Sequence, residues 1–182
     1  MYTIKSNIAG IYALSFFQSL MVLTAIYVPL LQGHGLTMSQ ILQTQAMFAL
    51  VIAGCEVPSG YLADVWGRKR AIVLGTALCA IGFGIVPLCE SFSDFMVYEL
   101  ILGVGISLSS GADLALLYDS QLQLKREGSD HVGNNPIAKL VSLEGIAGAL
   151  GAVAASVLSY HSLQSVAIAQ ALINVIPFLI AL

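Results

Sequence analysis

Five carboxylic acids lie within or at the ends of long apolar segments of this sequence. They are Glu56, Glu99, Asp113, Asp119 and Glu144. An ionisable side chain inside a membrane-spanning segment is costly, and it is therefore a candidate for function. Because an apolar setting favours the neutral form of a carboxyl group, a buried acid would carry a proton or attract a cation. The sequence thus offers several candidate sites for protons or for a cationic solute.

The strongest of these candidates are Asp113 and Glu144, each seven to ten residues from one end of its apolar segment. A polar stripe is predicted on one segment, where four residues fall within about 80° of one another on a helix. It consists of Glu99, Gly103, Ser110 and Asp113. Glu56 is a further candidate, and Gln18 and Tyr27 would add hydrogen bonds. The alternative for each acid is a protonated, purely structural group that is hydrogen-bonded to a neighbouring helix.

A short charged stretch, "GYLADVWGRKR" (Gly60–Arg70), separates two apolar segments. Asp64 and Arg68 are four residues apart, so they can pair across a turn. Gly67 allows that turn to be sharp, and Gly60 allows another backbone to approach closely. An ion pair that is partly removed from water at a membrane edge is stronger than one on an open surface.

Composition indicates which kind of secondary structure carries these residues. Of 182 residues, 58% are hydrophobic and 9% are charged, whereas soluble domains average about 25% charged. The mean hydropathy of +0.88 also indicates lipid as the main solvent. Six segments have the length and polarity of membrane-spanning helices, near 8–31, 38–62, 70–88, 95–122, 137–160 and 163–182. The sequence therefore predicts an all-α polytopic membrane protein, a single bundle of six transmembrane helices.

Basic residues give this bundle an orientation. All seven Lys and Arg flank the N-terminus, the second connection or the fourth connection: Lys5, Arg68, Lys69, Arg70, Lys125, Arg126 and Lys139. By the positive-inside rule, these connections and both termini are cytoplasmic. The expected location is the cell membrane, as a multi-pass protein in the lipid bilayer.

The charged stretch resembles the loop between the second and third helices of major facilitator superfamily transporters, whose pattern is G-x-L-a-D-r-x-G-r-k. Six positions match: Gly60, Leu62, Asp64, Gly67, Arg68 and Lys69. Val65 departs from the pattern where a basic residue is common. Glu99 occupies the Arg position of the family's R-x-x-x-G frame in the fourth span, and the Gly-rich fifth span lacks the Pro typical of antiporters. Antiport is therefore not supported.

The resemblance implies a conformational charge cluster. In the family, the Arg of this loop pairs with an acid at the inner end of the fourth span, and Asp119 matches that position. Asp64, Arg68 and Asp119 would then bias the inward-open against the outward-open arrangement. Asp119 falls about 200° around the predicted helix from Glu99, away from the polar stripe. The alternative is that the loop serves only topology and solvation at the interface.

The resemblance also implies the function, namely secondary active transport of a small solute by alternating access. The acidic interior favours proton coupling and a cationic or amphipathic solute, such as an exported drug. Because the family has twelve spans in two halves, a second six-helix half is expected, from the same chain or another copy. The alternative is a non-transporting fragment or partner subunit. Enzyme activity, a cofactor, a metal site and nucleic-acid binding are not expected.

Overall fold

The computed structural model describes residues 4–110, 112, 115–120 and 136–182, with side chains from residue 8 onward. Helices make up almost all of these residues, and no strand occurs among them. In chain order the helices are α1 (Ile4–Ser19), α2 (Tyr27–Gly33), α3 (Met38–Trp66), α4 (Arg68–Ile85), α5 (Phe92–Ser109), α6 (115–120), α7 (Pro136–Ser159) and α8 (Leu163–Ala181). Short 3-10 turns occupy Leu23–Ile26 and Val86–Leu88. The all-α prediction is confirmed.

Six helical segments among the described residues are long and apolar enough to cross a membrane. They are Ile8–Gly33, Met38–Trp66, Arg68–Leu88, Phe92–Ser109, Pro136–Ser159 and Leu163–Ala181. These segments agree in number and order with the six predicted from hydropathy.

Local sequence sets where these helices begin and end. Thr37 and Gln40 form a reciprocal capping box at the start of α3, which satisfies backbone donors that a helix leaves unpaired. Ser91 and Asp94 do the same for α5. Between α3 and α4, Gly67 has a φ of 97°, a conformation that favours glycine. A single residue thus separates two long helices and turns the chain back into the bundle.

Helices α4 and α1 each pack against two neighbouring helices, and these contacts hold the bundle together. Helix α4 packs between α5 and α8, while α1 packs against α7 and α8, and α3 packs against α5. Helices α3 and α7 lie at the edges and expose most of their surface. The described basic side chains Arg68, Lys69, Arg70 and Lys139 share one end of the bundle. We call this the basic end.

The first span differs from its prediction as one uninterrupted helix over 8–31. Helix α1 ends at Ser19, residues 20–22 are not helical, and a 3-10 turn leads into α2. The hydropathy of the segment is continuous, so the pattern contains no sign of the break. Its cause lies in other helices, which supply the hydrogen bonds and the space that the break requires.

The fourth span also differs from the predicted helix over 95–122. Helix α5 ends at Ser109, and Ser110 is extended with φ of −60° and ψ of 131°. Helical structure is described again at 115–120. The predicted angles around one helix therefore do not relate Glu99 to Ser110 or to Asp119. The polar stripe was wrong in this respect, since Glu99 and Gly103 are buried whereas Ser110 is exposed at the end of the helix.

Candidate functional site

Glu99 lies in the interior of the bundle, with 2% of its surface exposed. It is the eighth residue of α5, about 10 Å along the helix from its start, and not near the end of a span as predicted. One carboxylate oxygen accepts hydrogen bonds from the Tyr27 hydroxyl and from the Gln45 amide nitrogen, the latter at 2.8 Å. Three spans therefore meet at this carboxyl group.

The position of Tyr27 explains why the hydroxyl reaches Glu99. Tyr27 is the first residue of α2, directly after the 3-10 turn of the first span. Its ring packs against Tyr98, with ring centroids 6.3 Å apart. The Thr44 hydroxyl lies 3.5 Å from the Tyr27 hydroxyl and donates to the Ile41 carbonyl at 2.8 Å. Packing and hydrogen bonding thus fix the orientation of the Tyr27 phenol.

These polar groups border a cavity of about 350 Å³, which we call the Glu99 cavity. Besides Glu99, Tyr27 and Gln45, its lining includes Thr24 and a set of apolar side chains: Met21, Leu23, Val28, Phe48, Phe83, Tyr98, Leu102 and Ile106. Small-molecule sites have this character, mainly apolar with a few convergent polar groups. The arrangement can accept hydrogen bonds, bind a proton, or attract a cation.

A second cavity of about 440 Å³ contains two more of the sequence-predicted residues, Gln18 and Glu144. We call it the Glu144 cavity. Polar groups of α4, α5 and α8 also line it: Thr76, Ser109, Ser110 and Asn174. Met21, Phe83 and Ile106 line both cavities. The two cavities are therefore adjacent, with Glu144 lining one and Glu99 lining the other.

At the basic end, Arg68 forms an ion pair with Asp119 and donates to the Ala115 carbonyl at 2.9 Å. Both ion-pair side chains are partly exposed. Asp64 lines the same crevice of about 270 Å³ as Arg68, but among the described residues it forms no ion pair within 4 Å. Arg68 therefore joins α4 to α6 and does not close the α3–α4 turn through Asp64.

The structure also shows the contacts of the other residues predicted for this loop. Gly67 provides the turn, and Lys69 donates to the Leu182 carbonyl at 3.1 Å. The close backbone approach expected at Gly60 does not occur, because no described atom lies within 4 Å of where its Cβ would be. Asp113 lies outside the described residues. Glu56 is exposed on α3, and it lines the crevice at the basic end and neither of the two cavities.

Sequence reasoning missed Gln45, Gln170 and Asn174. Gln45 binds Glu99, and Gln170 and Asn174 are 0% and 3% exposed on α8. The available signal was an amide side chain within an apolar helix, which needs a hydrogen-bond partner for the same reason that an acid does. Gln170 and Asn174 are also spaced to share one helix face. Among the described residues, no three His, Cys, Asp or Glu side chains gather to hold a metal ion.

Comparison with known proteins gives a partial likeness. The chain is similar to "Solute carrier family 2, facilitated glucose transporter member 12" of Homo sapiens, with 31% identity over 86 residues. That match covers 46% of this chain and 14% of the human protein. The protein of the same name from Macaca fascicularis is 31% identical over 93 residues, 50% of this chain and 15% of its own length. No family model and no solved structure matches.

The likeness is to a member of the major facilitator superfamily, the family that the Gly60–Arg70 stretch resembles. The chain corresponds to only a small part of either relative's length. The six membrane-length helices and this likeness together indicate a multi-pass membrane protein that is similar in part to a transporter.

Proposed function

We propose that this chain is a six-helix half of a secondary transporter, which moves a small solute by alternating access and couples that movement to protons at Glu99. The proposal depends mainly on one observation. An acidic side chain is buried within a membrane bundle, beside a cavity, and its hydrogen bonds come from two other spans.

Such a carboxyl group is suited to coupling because its charge and its contacts are linked. When ionised, it attracts a cation and accepts hydrogen bonds from Tyr27 and Gln45. When protonated, it loses the charge and gains an O–H donor, so the hydrogen bonds from Tyr27 and Gln45 lose their charge assistance and weaken. Protonation therefore changes both solute binding and helix packing at one place, as coupled transport requires.

The solute class follows from the lining of the Glu99 cavity. A buried carboxylate among apolar and aromatic side chains favours a cationic or amphipathic solute. A neutral polyhydroxylated solute is the second candidate, since the relatives are named as facilitated glucose transporters. Glu99, Gln45 and Thr24 would supply acceptors and donors for its hydroxyl groups. A cavity of about 350 Å³ has room for a small solute of either class.

Transport also needs a second bundle, and α3 has a surface suited to one. Exposed residues follow each other at intervals of three or four along one stripe of α3: Gln45, Ala49, Ala53, Glu56, Gly60 and Asp64. An exposed Glu56, about 15 Å from the basic end of α3, is too costly to face lipid. The stripe therefore faces water or protein, and its small residues would let another helix approach closely.

Helix α7, at the other edge of the bundle, has a matching exposed stripe. Its members are Ala138, Ser142, Gly145, Ala149, Ala152 and Ser156, again at intervals of three or four. Exposed bulky side chains such as Leu150 and Val157 occupy a different face, which suits lipid. Two edge helices with small-residue stripes would frame a central path between this bundle and a second one.

The test is solute uptake by proteoliposomes that contain the longest native chain carrying this sequence, with an imposed pH gradient. A panel of cationic, amphipathic and sugar solutes is compared in wild type and in Glu99→Gln. The substitution keeps the shape and the acceptor oxygen but removes the titratable proton. We expect gradient-driven uptake to fall at least tenfold, while exchange of solute without a gradient persists. Glu90→Gln, on an exposed connection outside the spans, is the matched control.

Each contrary result is informative. Unchanged gradient-driven uptake in Glu99→Gln would exclude coupling at Glu99, and Asp113→Asn, tested in parallel, would show whether Asp113 has that role. Sugar uptake independent of pH would favour facilitated transport. Absence of transport for every solute would favour the alternative, a non-transporting fragment or partner subunit.

A further inference from the structure

The break in the first span leaves peptide groups without helical partners inside the bundle. Helix α1 ends at Ser19, and the following 3-10 turn begins at Leu23. At this break the Leu20 carbonyl and the Leu23 amide must find other hydrogen bonds. Water is scarce in a membrane interior, so an unpaired peptide group there is costly. The break can persist only if another element supplies both a donor and an acceptor.

Gln170 on α8 supplies both. Its Oε1 accepts a hydrogen bond from the Leu23 amide at 2.9 Å, and its Nε2 donates to the Leu20 carbonyl at 3.5 Å. The side chain has no exposed surface. A primary amide carries the same donor and acceptor groups as a peptide bond. Gln170 therefore replaces, from a neighbouring helix, the two hydrogen bonds that a continuous first span would have made for itself.

Groups of α8 and α7 surround this arrangement. Within α8, the Asn174 side-chain amide donates to the backbone carbonyl of Gln170 at 3.1 Å. On the other side, Gly151 of α7 is so close to the break that a Cβ would lie 3.1 Å from the Met21 backbone. The break is thus enclosed between α7 and α8.

The break lies between residues that line the two cavities. Before the break, Gln18 lines the Glu144 cavity. After it, Thr24 and Tyr27 line the Glu99 cavity. Met21, at the break itself, lines both. The placement of Tyr27 against Glu99, and of Met21 between the cavities, therefore depends on how the two parts of the first span are held relative to each other.

We propose that Gln170 is a positioning residue for the Glu99 site: its amide bridges the broken first span and thereby sets the Tyr27 hydroxyl on Glu99. The proposal rests on the proposed function for its relevance to transport. It is tested without any transport measurement, so the two can fail separately.

The experiment uses the full native chain in lipid nanodiscs and compares Gln170→Met with wild type. Methionine is similar in length and volume but offers no amide. Gln164→Met is the matched control, because Gln164 is on the same helix but lies near the end of the bundle opposite the basic end. There its side chain donates to the Pro87 carbonyl at 2.6 Å. Hydrogen–deuterium exchange of a peptide spanning 20–23 reports on the bridge. The infrared carboxyl band of Glu99, identified by its loss in Glu99→Gln, reports on the Tyr27 hydrogen bond.

In Gln170→Met we expect exchange over 20–23 to become at least tenfold faster and the Glu99 band to shift. Gln164→Met should leave both unchanged. Exchange within twofold of wild type would overturn the bridge. Faster exchange with an unmoved Glu99 band would show a purely structural amide and would overturn the positioning role. If Gln170→Met does not fold, Gln170→Asn, whose amide is one methylene shorter and is therefore withdrawn from both the Leu20 carbonyl and the Leu23 amide, is judged by the same two readouts and the same outcomes.

Discussion

At the scale of single residues, burial and partners separate acids that look alike in the sequence. Glu99 is enclosed and hydrogen-bonded to two other spans, whereas Glu56 is exposed on an edge helix. Both are glutamates in apolar segments. A span-by-span hydropathy argument cannot distinguish them, because burial depends on which helices are neighbours. The structure gives Glu99 two hydrogen-bond partners on other spans, whereas Asp113 lies outside the described residues and stays a prediction.

The Arg68–Asp119 pair is the second residue-scale feature, and its conformational role is a prediction. The side chains are 31% and 57% exposed, so the pair contributes at most about 1 kcal/mol to stability. If it biases the inward-open against the outward-open arrangement, Arg68→Ala should lower the transport rate at least tenfold with little change in thermal unfolding. Both are measured on the full native chain, by proteoliposome uptake and by a melting curve in detergent.

Two further variants make this prediction specific. Arg70→Ala removes an exposed cation two residues away that forms no ion pair with a described residue, and it should transport normally. The exchanged pair Arg68→Asp with Asp119→Arg should recover part of the lost rate. If Arg68→Ala and Arg70→Ala changed the transport rate equally, the loop would serve only to set the membrane topology.

At the scale of elements, helix packing depends on glycines where α4 meets α5. A Cβ on Gly75 would lie 2.7 Å from the Gly105 carbonyl oxygen and 2.9 Å from the Ser109 amide nitrogen. A Cβ on Gly105 would lie 3.0 Å from the Gly75 carbonyl oxygen. Backbone cannot move aside as a flexible side chain can. The two helices approach closely because each lacks a side chain at the contact, as is common in membrane bundles.

We therefore expect Gly75→Ala to push α4 and α5 apart. Overpacking of this kind costs about 1–3 kcal/mol, which should appear as a melting temperature several degrees lower in detergent. Gly84→Ala on the same helix is the control, since nothing described lies within 4 Å of a Cβ at that position. Equal melting temperatures for the two variants would show that α4 can shift without cost.

At the scale of the whole molecule, charge is distributed unequally between the two ends. The described cations Arg68, Lys69, Arg70 and Lys139 share the basic end, while the turn at 33–37 and the connection at 89–91 lie at the other. The positive-inside rule assigns the basic end to the cytoplasm. This orientation is a prediction for the folded chain in a membrane.

Cysteine labelling tests that orientation. In a background without Cys55, Cys79 and Cys89, single cysteines replace Gln32 and Arg70, both exposed and at opposite ends. A membrane-impermeant maleimide added to intact cells should label the cysteine at position 32 and reach position 70 only after the membrane is opened. Labelling of both positions from the same side would contradict the six-span scheme. The reverse pattern would invert the orientation and leave the fold intact.

Composition and charge placement along the chain were enough to predict the all-α class, the six spans and the clustering of cations. The turn at Gly67 could also be predicted, because its local conformation favours glycine, and a family resemblance suggested Arg68 and Asp119. Each of these depends on residues close together in sequence or on a recognisable pattern.

The break in the first span, the early end of α5 and the partners of Glu99 follow from helix packing and could not be predicted from the sequence. Gln170 bridges the break and lies 147 residues from Leu23 along the chain. The Glu99 site likewise joins Tyr27 across 72 residues and Gln45 across 54. In an apolar solvent a polar group is stable wherever some partner can reach it, and only helix packing fixes which partner does.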